Sequence, residues 1–116
     1  MKNKQIRQGD VFLHPVADLP RGLEPVNPDG HRIILAYGEV TGHAHAIALS
    51  PKEVANAAIR RAQLWAAKNG DRYLEVRADS ELTHEEHTAH TIPPGIYLVP
   101  TQVDMTADKL PRRVAD

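Results

Sequence analysis

Cysteine is absent from this 116-residue chain. That absence removes disulfide frameworks, thiolate metal sites, thiol nucleophiles and iron–sulfur clusters from consideration. Aromatic residues are scarce, with 1 Trp, 1 Phe and 3 Tyr, so the core must be built from Val, Ile, Leu and Ala. Neither sign of charge is in excess: 14 Lys and Arg stand against 15 Asp and Glu, a formal charge of −1 with neutral histidines. Such balance argues against a general nucleic-acid binder, which needs a net basic face to displace counterions, and against a polybasic membrane anchor. No apolar run approaches the roughly 18–20 residues that span a bilayer. Met1-Lys2-Asn3-Lys4-Gln5 begins positively, but no apolar stretch follows it as in a secretory signal. The expectation is a cytoplasmic protein with no membrane contact.

The length suits one domain over residues 1–116, because single cores commonly serve about 100–150 residues. A polar N-terminal arm (residues 1–8) and a charged C-terminal tail (residues 104–116) flank it. Val11 to Val16 reads as a first strand, with Pro15 forcing an end or an edge. Asn27-Pro28-Asp29-Gly30 is a turn signal, and it leads into a second strand from His31 to Tyr37. A third strand is expected from His43 to Leu49, with His43, His45 and Ile47 on one face. Ser50, Pro51 and Glu53 compose the start of a helix: an N-cap, a proline at the first helical position and the acid of a capping box. Val54, Ala58, Ala62 and Trp65 or Ala66 continue at helical spacing, and Asn69-Gly70 reads as the terminator. Further strands are expected at Arg72–Arg77 and Ile96–Val103, and Glu81–His84 reads as a short strand or an ending. The fold class is therefore mainly β (α+β), a small β-barrel or sandwich of about five to six strands with one inserted helix over about 51–69.

What the chain has in concentration is histidine, 7 in all, with five gathered into two groups. Gly42-His43-Ala44-His45 is an H-x-H pair. On a strand it projects both imidazoles from one face, roughly 6–7 Å apart, close enough to converge on one ion. His84-Glu85-Glu86-His87-Thr88-Ala89-His90 is the second group, and the interval between His84 and His87 suits a turn or one coil of helix. His43, His45, His84 and His87 are the candidate metal ligands. Glu85 or Glu86 is the candidate fourth ligand or a general base toward water activated by the ion. Zinc, iron, manganese and nickel all suit such a donor set. Either group alone is more often a half-buried or solvated pair than a site; two in one short chain make the metal reading worth stating. His14 and His31 read as structural, and His90 as peripheral.

Two other classes of function compete. Paired histidines can act without metal as acid and base in a nuclease or phosphoesterase, with Arg32, Arg72 or Lys52 holding phosphate. A non-enzymatic accessory module that binds a protein partner is the third reading; Arg60-Arg61, on the expected helix, reads as a solvated face rather than a nucleic-acid contact. The substrate, small molecule or other, is not legible.

The stretches Gly38 to His45, Leu82 to His87 and Pro93-Pro94-Gly95-Ile96-Tyr97 resemble a family of small uncharacterised bacterial proteins, over roughly Gly9 to Gln102. That resemblance implies no particular activity. The chain is also loosely similar to cupins, barrels that bind a metal through an H-x-H motif and a later histidine. His43 and His45 match the first element, and Pro94-Gly95 the Pro-x-Gly turn. The chain departs from that pattern in three ways: no Glu closely follows His45, the later histidines precede the Pro-Gly turn, and a helix interrupts the strands.

Overall fold

The structure, a computed structural model, describes residues 4–37, 44–85, 87–100, 103–105 and 111–113. Its strands are β1 (Ile6–Gln8), β2 (Val11–Val16), β3 (Glu24–Val26), β4 (Arg32–Tyr37), β5 (Ala44–Ala48), β6 (Ala62–Ala66), β7 (Arg72–Val76), β8 (Ser80–His84), β9 (His87–Ile92), β10 (Gly95–Val99), β11 (Val103–Met105) and β12 (Pro111–Arg113). One helix, α1 (Pro51–Ala55), and a 3₁₀ turn at Ala57–Ile59 lie between β5 and β6. Ten strands make two antiparallel sheets, β1-β2-β10-β7-β6-β3 and β4-β5-β8-β9, and β11 pairs with β12. The architecture is a sandwich, not a closed barrel, with more strands than the five or six expected. Ile6–Gln8, within the stretch read as an arm, forms β1. Among the described residues no helix is long and apolar enough to cross a membrane.

Both sheets feed one core. Val11, Leu13, Leu64, Leu74, Tyr97 and Val99 from the first sheet meet Ile33, Leu35, Ile47, Leu82 and Ile92 from the second. Strand alternation produces this directly: Val11 and Leu13 point in, while Phe12 and His14 point out and stack on each other. Tyr97 is fully buried, yet its hydroxyl is satisfied by donating to the Pro93 carbonyl at 2.8 Å. Pro15 does not end β2. β1 pairs only with Val11–Leu13 and β10 only with His14–Val16, so the two neighbours take staggered halves of the strand. Among the described residues, the side of β2 away from β10 is thus left without a strand partner at Pro15, a position that tolerates a missing donor.

The helix begins as expected and ends far earlier. Glu53 N donates to Ser50 Oγ at 3.3 Å and Ser50 N to Glu53 Oε1 at 2.9 Å, a complete capping box. The helix stops at Ala55, because Arg60 folds back and donates to the Glu53 and Val54 carbonyls at 2.7 and 2.8 Å. Ala62–Ala66 then forms a strand in place of the helical turns expected to Asn69. Ala62 and Leu64 recur with period two into the core, and β6 is paired on both sides, by β7 and β3. Ladder bonds and core burial override the helical preference of an Ala-rich segment. Asn69-Gly70 therefore belongs to the β6–β7 hairpin, where Gly70 takes φ +95° and Gly70 N donates to the Ala67 carbonyl. Asn-Gly is as strong a hairpin signal as a helix terminator.

Candidate metal centre

β5, β8 and β9 lie side by side in the second sheet, and each brings one histidine to the same level. β5 pairs with β8 through Ala46↔Thr83 and Ile47↔Leu82, a register that sets His45 across from His84. β8 pairs with β9 through His84↔His87, around the turn at Glu85. Ring centroids are 4.3 Å apart for His45–His84 and 4.7 Å for His84–His87, near the ordinary spacing of neighbouring strands, roughly 4.7–4.9 Å. Ligand nitrogens of His45, His84 and His87 all lie within 4.8 Å of one another. The interval between His84 and His87, which suited a turn or a helical coil, is realised as a hairpin. A register shift between Leu82 and His84 accompanies it.

The three rings differ in surroundings. His45 is fully buried, His84 half-buried and His87 exposed, so the cluster runs from the interior to the surface. His45 Nδ1 lies 2.9 Å from Gln8 Oε1. His45 Nε2 is buried and has no hydrogen-bond partner among the described residues. Burial, helped by the neighbouring His84 and His87, pushes the His45 pKa down to about 4, against the smaller opposite pull of Asp10 and Glu85. His45 is therefore neutral near pH 7, the form in which imidazole coordinates a metal.

The β1–β2 hairpin covers the cluster. Gln8 is buried and donates through Nε2 to the Leu82 carbonyl of β8 at 2.9 Å and the Thr88 carbonyl of β9 at 3.0 Å. Gly9, at φ +58°, passes so close that a Cβ there would sit 2.8 Å from His87 Nε2 and 3.2 Å from His45 Cε1. Neither residue stood out in the sequence. Gln8 sits in a polar stretch with no periodicity, and Gly9 reads simply as the residue opening a strand.

Of the other expected participants, His43 and Glu86 lie outside the described residues. Glu85 flanks the cluster and accepts from Ala44 N at 3.0 Å. His14 stacks with Phe12 on the first sheet, His31 gives its carbonyl to Leu49 N, and His90 pairs across from Leu82 on β9. None of these three belongs to the triad. Arg72, weighed as a phosphate holder, donates to the Leu35 carbonyl.

A family model described as a domain of unknown function (DUF8820) matches residues 7–102. The chain belongs to this family. No curated protein and no solved structure matches it. The DUF8820 match contains the covering hairpin residues Gln8 and Gly9 together with all three clustered histidines, so the centre lies wholly within the family's domain.

Proposed function

We propose that the protein is a divalent-metal-binding domain whose ion is held by His45, His84 and His87. The observation that carries this reading is the unpartnered Nε2 of fully buried His45, beside two further imidazoles with all ligand nitrogens within 4.8 Å. A buried polar atom with no partner costs roughly 1–3 kcal/mol, a penalty that a coordinated ion relieves. Gly9 supports it further, since it keeps clear the space beside His87 Nε2 that a side chain would fill. An ion about 2.0–2.1 Å from each nitrogen needs the three drawn somewhat closer, which the two outer rings can supply by turning about their Cβ–Cγ bonds.

Three imidazole nitrogens in a cluster that runs from the interior to the surface would leave coordination positions open, the pattern of a catalytic rather than a closed structural site. When bound, the ion would supply Lewis acidity and lower the pKa of water toward about 7. Glu85 stands beside the centre as the candidate carboxylate for proton transfer, and its Oε1 accepts from Ala44 N. Zinc, iron, manganese and nickel suit the donor set. Small-molecule hydrolysis is the chemistry these residues serve most simply.

Elemental analysis of untagged protein, beside His84→Ala and His87→Ala variants, tests the reading. Both positions are at least partly exposed, so the variants should fold. Near-stoichiometric metal in the wild type and its loss in both variants is the expected result. Absence of metal after reconstitution, or full retention in both variants, would sink it.

A further inference from the structure

The Gln8 side chain reaches all three histidine strands. Its Nε2 donates to Leu82 O on β8, two residues before His84, and to Thr88 O on β9, next to His87. Its Oε1 faces His45 Nδ1 on β5 at 2.9 Å. Two carbonyl acceptors fix which end of the amide is which, because a carbonyl cannot donate and only the NH₂ end can serve both. The oxygen is thereby committed to His45. An amide oxygen accepts only, so His45 Nδ1 must carry the ring proton and Nε2 must carry the lone pair.

We propose that Gln8 is the positioning residue of the centre, holding His45 in its Nδ1–H tautomer so that Nε2 is presented as the ligand atom. The ligand role rests on the metal-centre reading; the tautomer does not. A partner on the second ring nitrogen is the usual device for orienting a metal-bound histidine. Here that partner comes from β1 of the first sheet and is itself anchored on the strands that carry the other two histidines. The amide therefore sets both the protonation pattern of one ring and the approach of the strands that bear the other two.

Long-range ¹H–¹⁵N spectra of the metal-free protein near pH 7 test the tautomer in the wild type alone, with no variant required. The expected pattern for His45 is a protonated Nδ1 and an unprotonated Nε2. In Gln8→Leu that preference should be lost, and zinc affinity, read by competition with a chromophoric chelator, should weaken about 10–100-fold. Backbone amide spectra confirm that the variant is folded. Gln8→Asn, which keeps the amide on a shorter stem, serves as the second variant if Gln8→Leu is unstable, with intermediate weakening expected. A wild-type His45 protonated at Nε2 would overturn the proposal, and so would a folded Gln8→Leu that keeps the wild-type spectrum and affinity. An Nδ1–H ring in a wild type that takes no zinc would overturn the ligand role and the metal reading together, while leaving Gln8's hold on the tautomer standing.

Discussion

At the helix corner the Glu53 carboxylate, buried with its side chain 9% exposed, accepts from Ser50 N, Arg61 N and the Arg61 guanidinium at 2.8–3.3 Å. Beside it, buried Arg60 donates to two carbonyls and to Gln63 Oε1. At the histidine corner another buried group, His45, has one nitrogen matched to Gln8 and the other matched to nothing among the described residues. Both corners place titratable side chains under cover, yet only one closes its hydrogen bonding. A corner that is saturated has a structural job already done. On the metal-centre proposal, the acceptor left over at the other corner, next to two more imidazoles, is the place an ion would fill. On that proposal, the difference separates a buried polar network that serves the fold from one that would serve a ligand.

The largest expected effect comes from breaking the saturated corner. Glu53→Ala strips the capping box and the Arg61 pair together and leaves Ser50 N and Arg61 N without their acceptor. A loss of about 2–3 kcal/mol in urea unfolding is expected, toward the lower figure because the Arg61 side chain is 44% exposed and water screens it. A change below about 0.5 kcal/mol would show that the corner is decorative.

The two corners should also fail at different acidities in metal-free protein. Chiefly through the Arg61 hydrogen bonds, the Glu53 pKa is held down at about 2 from its ordinary 4.5. Its contribution is therefore full above pH 4.5 and is lost as pH falls from there through about 2. His45 is depressed from 6.5 to about 4, first by burial and then by its two histidine neighbours. Between those values the unfolded chain binds the extra proton, so stability falls as pH drops from 6.5 to about 4. Stability measured against pH should show two acid limbs; His45→Gln should remove the upper and Glu53→Gln the lower. A wild-type profile flat from pH 6.5 to 4 would refute the burial of a neutral His45.

The corners were not equally legible. Ser50, Pro51 and Glu53 announce the helix start by local chemistry that needs no partner far along the chain, and the structure has it. Its end was hidden, because what stops the helix is Arg60 turning back on two carbonyls and β7 claiming Ala62–Ala66, neither of which periodicity can register. Asn69-Gly70 is locally ambiguous between a helix terminator and a hairpin, and pairing with Arg72–Val76 decides it. For the histidines, H-x-H and H-E-E-H were visible as motifs, and strand register is what carries His45 to His84 and His87. β9 went unforeseen because its residues from His87 to Thr91 are mostly polar and largely exposed, without the alternation that marks a strand. Gln8 was illegible for a different reason: its three partners are fixed by the docking of one sheet on the other, 37 to 80 residues away in sequence.

The smallest expected effect divides the saturated corner into its parts. Ser50→Ala removes only the Oγ acceptor, which lies 3.3 Å from Glu53 N, and leaves the Ser50 backbone N–H still donating to Glu53 Oε1. An N-cap loss of about 1 kcal/mol is expected in urea unfolding, well short of the Glu53→Ala effect. The lower acid limb should survive, because Arg61 rather than Ser50 dominates the Glu53 shift. If Ser50→Ala instead cost as much as Glu53→Ala and erased that limb, the cap would be what holds the carboxylate. The helix corner would then be a local motif that folds by itself, with no need for the Arg60 and Arg61 crossing that joins it to β6, and its contrast with the histidine corner would narrow to a matter of chain distance.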